Sequence, residues 1–212
     1  MFVVIFEVQP KSERWDDYLE TAKLLRPELE RIDGFLDNER YKSERTEGRV
    51  LSLSSWRDEK ALVRWRTQAT HHDQGQARGR FEIFQDYHLR VGEVTADSRQ
   101  SPDTQRAGQR FDATEVGIAP VVTLTEFTPD VGQSGPSSLD RDGIDGLLDR
   151  EWFTSITTEG KRVMLASWRD DDSAREHAPA AAHGVRHRQV RVIRDYGMRD
   201  RREAPQYFPD VV

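Results

Sequence analysis

The sequence predicts an α+β protein made of two tandem ferredoxin-like modules, each of β-α-β-β-α-β order, packed sheet to sheet. Three observations carry this prediction. Residues 32–58 read IDGFLDNERYKSERTEGRVLSLSSWRD, and residues 144–170 read IDGLLDREWFTSITTEGKRVMLASWRD. The offset is 112 without a gap, and 15 of 27 positions agree. Self-similarity of that quality in a chain of mixed composition marks a duplication. The hydrophobic period within the first copy also switches from 2 to about 3.6 and back, in split βαβ order. Finally, a small sheet covered by helices on one face needs a cover for the other, and a fused second copy supplies it.

Residues 2–8 are β-branched and aromatic, and form the first strand. Residues 12–32 place Trp15, Tyr18, Leu19, Ala22, Leu25, Leu29 and Ile32 at spacings of three and four, which defines one helical face. Ser12 is placed to cap that helix, Gly34 follows its end, and Pro27 is expected to kink it. Residues 36–45 and 50–56 form a hairpin around Thr46, Glu47 and Gly48. A second helix begins at Asp58 and carries Ala61, Leu62, Trp65 and Ala69. Residues 80–94 close the module as a long strand.

The second copy repeats the hairpin and the final strand, with Asp195-Tyr196 matching Asp86-Tyr87. It differs after its first strand. Residues 130–143 contain Gly132, Gly135 and Pro136, so the long amphipathic helix is expected to be absent or reduced to a turn. The expected division is therefore residues 1–95 as the first module and 96–118 as a polar linker. Residues 119–200 form a degenerate second module, and 201–212 an extended arm.

The net charge is −6, and acidic and basic residues are interspersed without a basic stripe, so a nucleic-acid partner is disfavoured. The chain has no cysteine, which excludes disulfides and thiolate chemistry. The apolar run at the N-terminus is too short for a membrane span and lacks a basic lead-in, so it reads as a strand, and a cytoplasmic location is expected.

Trp65, His71 and His72 fall near the end of the second helix. His72 lies two turns from Trp65, so both can face one way, and a histidine there can act as a base on an acidic phenol or enol. The competing reading makes Trp65 core and the histidines a cap on the helix C-terminus. Ser52 and Ser54 alternate with Leu51 and Leu53, share the face of Trp56, and leave room for a pocket. Met164 and Ala166 take their places in the second copy. Trp15 on the helix and Asn38 on the neighbouring strand complete the candidate pocket. His177, His183 and His187 cluster in sequence, but Gly184 interrupts them and no carboxylate is well spaced. No metal site is expected, and no cofactor.

The run Ser55-Trp56-Arg57-Asp58-Glu59-Lys60-Ala61, then Trp65, a histidine-containing segment, Gly79-Arg80-Phe81 and an aromatic last strand resembles the antibiotic biosynthesis monooxygenase family. The likeness covers nearly all of the first copy and about two-thirds of the second. It implies a pseudo-dimeric α+β barrel and a small-molecule substrate, with dioxygen as the second substrate where the member is an oxygenase. Pairing of two such chains into a further homodimer stays open. The asparagine of the quinone-oxidising members falls on Ser52, and their helical tyrosine on Leu62. Of the set used by heme-degrading members, Trp65 is matched, the first strand has no asparagine, and the histidines come early. The leading expectation is a cofactor-independent monooxygenase acting on an aromatic or enolisable molecule through His72, His71 and Trp65. A non-catalytic binding or stress-response protein on the same fold is the alternative, and heme degradation is third.

Overall fold

The computed structural model describes residues 1–100, 112–128, 143–180 and 182–205. The strands are β1 Phe2–Pro10, β2 Phe35–Ser43, β3 Val50–Trp56, β4 Phe84–Asp97, β5 Val121–Phe127, β6 Leu147–Ser155, β7 Arg162–Trp168 and β8 Val185–Gly197. The helices are α1 Trp15–Glu30, α2 Glu59–Thr67 and α3 Asp171–Glu176. All strand pairs are antiparallel, and together they close one barrel in the order β1-β3-β2-β6-β7-β5-β8-β4. The two halves are stitched along both edges. Tyr41, Lys42 and Ser43 pair with Ser155, Thr154 and Phe153 on one side, and β4 runs beside β8 over most of its length on the other.

Alternation along the strands divides the barrel into an inner and an outer face. Val3, Ile5, Leu51, Leu53, Val122 and Leu124 point inward into a core shared by both halves. Outside the first four strands, Trp56, Ala61, Leu62, Leu29 and Val91 form a second core beneath α1 and α2. The helical face from Tyr18 to Leu29 is buried as its spacing requires. Pro27 lies inside α1, and the helix continues past it to Glu30.

The duplication persists to the level of single hydrogen bonds. Arg57 grips Asp33 with two bonds of 2.9 and 2.8 Å, and Arg169 grips Asp145 with bonds of 3.3 and 3.0 Å. Asp58 caps α2 by accepting from the Ala61 amide at 2.9 Å, and Asp170 caps α3 by accepting from Ser173 at 2.8 Å. Gly34 and Gly146 hold φ of 93° and 75°. A Cβ on Gly34 would stand 2.6 Å from the Ala61 Cβ, and one on Gly146 would stand 2.1 Å from the Ser173 Oγ. Both glycines let a helix start close against the turn before the hairpin.

The structure differs from the sequence expectation at several boundaries. Ser12 does not cap the first helix: it opens a 3-10 turn, Ser12–Arg14, its hydroxyl donates to Glu13 at 3.3 Å, and α1 begins at Trp15 with no side-chain cap. The last strand of the first half starts at Phe84, not at residue 80, because residues from His71 to Ile83 wind as π-helix, interrupted at Arg78. At its other end β4 reaches Asp97, two residues into the stretch read as linker. The helix holding Trp65 stops at Thr67, since Gln68 turns extended with φ −66° and ψ 129°. The rest of the linker reading in part, and the whole reading of residues 130–142 as a lost helix, lie outside the described residues. So does the arm beyond residue 205. The described start of that arm is anchored. Glu203 accepts from the amides of Asp195, at 2.6 Å, and Glu115, at 2.7 Å.

Candidate active site

A cavity of about 220 Å³ lies in the first half, between the outer face of its strands and the roof made by α1, α2 and the π-helical segment. Val4 and Phe6 of β1, with Leu89 and Val91 of β4, give it an apolar floor. Of the eight residues proposed from sequence, Ser52, Ser54, Asn38, Trp65 and His71 line it.

The other three stand elsewhere. Trp56 is fully buried in the core beneath α1 and α2 beside the cavity, where its indole Nε1–H donates to Ser54 Oγ at 3.0 Å. Trp15 packs on Tyr18 and under the Lys42 ammonium. His72 is exposed beside Asp73, its Nδ1 3.0 Å from the carboxylate. The sequence reading aligned Trp65 with His72 by assuming one continuous helix. The extended residue at Gln68 resets the phase, and His71 takes that place instead, its ring stacked on Trp65 at 4.1 Å. The histidine pair opens the π-helical segment, and of the two it is His71 that reaches back to a carbonyl in the last turn of α2, that of Trp65.

His71 is held on several sides. Its amide donates to Gln68 Oε1 at 2.7 Å, and its Nδ1 lies 3.1 Å from the Trp65 carbonyl oxygen. Nδ1 also stands 3.1 Å from the Gln76 side-chain amide nitrogen, a donor, so the carbonyl and the amide call for opposite tautomers of the ring. Burial pushes the imidazole pKa down to about 4, against the raising effect of the Trp65 carbonyl, so the ring is neutral near pH 7. Gly75 permits this packing, since a Cβ there would stand 2.8 Å from His71 Cδ2 and 3.0 Å from Leu25 Cδ1. Position 75 is also ten residues beyond Trp65, where the heme-degrading set places its histidine, so that ligand is absent.

Two hydroxyls of the floor are poised as donors. Asn38 Nδ2 donates to Ser52 Oγ at 3.2 Å and to the Leu53 carbonyl at 3.2 Å. Ser54 Oγ accepts from Trp56. Each serine has thus accepted a bond and keeps its own proton to give. Asn38 also supplies, from β2, an amide beside the position where the quinone-oxidising members keep one on β3.

The second half contributes to the wall through Arg194, Tyr196, Arg201 and Pro205. Burial raises the Tyr196 hydroxyl to about 12, and the Arg201 guanidinium lies over its ring at 5.6 Å. Arg80 donates to the Met198 carbonyl at 2.6 Å and ties this segment to the π-helix. Sequence reasoning on one copy could not place these residues here. The signal available was the Asp-Tyr pair that ends both halves, which becomes informative once β4 and β8 are known to run side by side.

The matching strand of the second half carries buried side chains among the described residues, with the larger Met164 in the place of Ser52. Met164 and Ala166 are buried with Trp168, and His177, the counterpart of Trp65, stacks on Trp168 at 5.5 Å. Among the described residues no group of three or more histidine, aspartate or glutamate side chains is placed to hold a metal ion. No helix is long and apolar enough to cross a membrane, again among the described residues.

The site is thus an α+β barrel cavity with an apolar floor, a neutral imidazole and hydroxyl donors on its wall, of a size for a small molecule. The chain belongs to the antibiotic biosynthesis monooxygenase family, whose model matches residues 1–78, and it is an oxidoreductase of the monooxygenase class. It is 44% identical over 218 residues to the jasmonate monooxygenase ABM of Pyricularia oryzae, with 99% of each chain covered. Among solved structures, an aldoxime dehydratase shares the fold with a TM-score of 0.53 at 10% identity, covering 90% of this chain and 80% of that one. A second, in complex with butyraldoxime, gives 0.55 at 10% identity, covering 91% and 79%.

Proposed function

We propose that this monooxygenase acts in the first-half cavity on an enolisable small molecule, that it needs no bound cofactor, and that jasmonate is the substrate to test first. The observation that carries the reading is His71, an imidazole in the cavity wall that burial keeps unprotonated down to about pH 4; in the tautomer whose Nδ1 donates to the Trp65 carbonyl, Nε2 is the proton acceptor. Jasmonate is a cyclopentanone with a carboxylate arm, so it has C–H bonds made acidic by a ketone. The name of the Pyricularia oryzae relative points to that substrate.

His71 Nε2 takes a proton from the carbon beside the ketone. The developing enolate oxygen accepts from the hydroxyls of Ser52 and Ser54, each of which accepts one bond from the protein and keeps its proton to give. The carbanion gives one electron to dioxygen, and recombination of the radical pair forms a hydroperoxide. The balance is R–H + O2 → R–OOH, and loss of water from a secondary hydroperoxide leaves a ketone. No external reductant enters. The apolar walls limit access of water to these intermediates.

In the same reading residues 1–95 and 119–200 are two ferredoxin-like modules fused as a pseudo-dimer through residues 96–118. The ungapped repeat and the duplicated Asp33–Arg57 and Asp145–Arg169 pairs support it. The first module keeps the cavity, and Met164 fills the corresponding place in the second.

The test is oxygen uptake by purified protein with jasmonate, followed by mass spectrometry of the product formed under oxygen-18. Uptake with label in the product is expected. Absence of uptake with both jasmonate and anthrone, a second enolisable probe, would contradict the reading.

A further inference from the structure

We infer that Arg40 and Tyr18 form an anion-anchoring corner of this cavity, built to bind the carboxylate of a small organic acid. The inference rests on the cavity being the substrate site. It adds the chemical class of the substrate's far end and the residues that select it.

Arg40 rises from β2 beside Ser52, its register partner on β3, and Tyr18 comes down from α1. The Tyr18 hydroxyl is buried, the residue being 6% exposed; the Arg40 guanidinium acts on its oxygen as a charge and as a donor, and its proton has no acceptor. The Arg40 Nε is buried and without an acceptor, and no carboxylate among the described residues pairs with this guanidinium. The two groups act on each other. Burial raises the Tyr18 pKa, and the Arg40 charge opposes that rise.

Arg40 is half-buried. Two fully buried arginines, Arg90 and Arg188, also hold an Nε without an acceptor, but each has a carboxylate, Glu7 at 2.5 Å and Glu126, whereas Arg40 has none. Leaving a buried phenol proton without an acceptor is costly. A ligand carboxylate supplies what both lack, because its two oxygens can accept from the guanidinium fork and from a phenol at once.

The surroundings favour an anion. Six arginines (Arg26, Arg40, Arg66, Arg80, Arg194 and Arg201) and one glutamate, Glu59, line the cavity, while its floor is apolar. The corner also belongs to one half alone. The residue 112 positions after Arg40 is Trp152, with Arg162 lying over its ring at 4.3 Å.

The corner and the base sit at different ends. Gly75 packs between His71 and Leu25, and Leu25 follows Tyr18 by seven residues on α1, roughly 10 Å along the helix axis. The ligand class is therefore a carboxylic acid whose anionic end is separated from its reacting carbon by an apolar body.

The experiment is isothermal titration calorimetry with two acid–ester pairs: jasmonate with methyl jasmonate, and cyclopentylacetate with its methyl ester. The proteins are wild type, Arg40→Met, Arg40→Lys and Tyr18→Phe. Wild type is expected to bind each acid at least about tenfold more tightly than its ester, the scale of a hydrogen-bonded charge pair. Arg40→Met should abolish that preference and leave ester affinity unchanged, and Arg40→Lys should restore part of it. Tyr18→Phe should weaken the acids only. Thermal unfolding of Arg40→Met should stay at or above the wild-type midpoint, because an uncompensated charge is removed. Equal affinity for acid and ester in wild type, no acid binding at all, or an undiminished preference in Arg40→Met would overturn the inference. Failure of the jasmonate reading has a different signature, in which cyclopentylacetate is discriminated from its ester while jasmonate does not bind.

Discussion

Arg90 in the first half donates to Ser167 Oγ in the second at 2.9 Å, and Arg188 in the second half donates to Ser55 Oγ in the first at 3.0 Å. Each arginine is paired with a glutamate of its own half, Glu7 or Glu126, inside the barrel. The two halves thus hold each other by a reciprocal pair of bonds in the shared interior, where water cannot replace them. Removing one charge leaves the other buried and unmatched. Glu126→Gln should destabilise the protein by about 3–5 kcal/mol, while the double change Glu126→Leu with Arg188→Met should cost far less. Urea denaturation of the three proteins checks this.

The contrast between Ser52 and Met164 predicts an asymmetric response. Ser52→Met puts a side chain into the cavity as Met164 does in the second half, and should abolish ligand binding with little loss of stability. Met164→Ser leaves a gap and a buried hydroxyl in a packed cluster. It should cost about 2–5 kcal/mol and leave ligand affinity unchanged. Paired measurements of ligand affinity and unfolding midpoint separate the two effects.

Because β2 pairs with β6 and β4 with β8, a fragment ending near residue 95 exposes two strand edges and the inward face of its sheet. Expressed alone, it should self-associate or fail to fold cooperatively. Sedimentation and urea titration of the fragment test this, and a well-behaved monomer would contradict the shared core.

Acid should destabilise the fold in two stages. Burial holds His71 and His187 each at about 4, below the ordinary 6.5. Their contribution is complete above pH 6.5 and is lost as pH falls toward 4. Burial alone would raise the Glu7 carboxyl, but Arg90, with His88 and Arg49, outweighs it and sets the pKa at about 2. That contribution is present above 4.5 and lost as pH falls through 2, and amounts to roughly 2–4 kcal/mol. His88 runs the other way. Burial lowers it, yet Asp195 and Glu7 raise it above its ordinary value, so its contribution is lost as pH rises through the raised pKa. Stability measured from pH 8 to pH 3 should fall steadily below pH 6.5, and Glu7→Gln should flatten the most acidic part of that fall.

The fold was legible in the sequence because its evidence is local and repeated. The hairpin residues recur at one offset, and the cap aspartates and turn glycines recur with them. The position of the cavity was legible for the same reason, from Ser52 and Ser54 facing a helix-covered floor where Met164 and Ala166 stand in the other copy. Which of the two histidines lines the cavity was not. Spacing along one helix favours His72, and nothing in composition announces the extended backbone at Gln68 or the π-helix that follows. The walls supplied by Arg194, Tyr196 and Arg201 depend on the pairing of β4 with β8, a contact across about 100 residues of chain, which periodicity does not encode. Arg40 was hidden for another reason: a lone arginine on a strand looks like an ordinary exposed charge until its lack of a carboxylate is visible.

The central claim is that His71, and not its neighbour, is the base of a monooxygenase site, and the direct measurement is oxygen uptake with jasmonate by wild type, His71→Ala and His72→Ala between pH 4 and pH 8. His71→Ala should lower kcat by roughly 10²–10⁴, and His72→Ala should stay within a few-fold of wild type. The wild-type rate should hold from pH 8 down to about pH 5 and fall only as the imidazole is protonated near its pKa of about 4. A His71→Ala enzyme that turns over at the wild-type rate, or an acid limb near pH 6.5 that disappears in His72→Ala, would contradict the account.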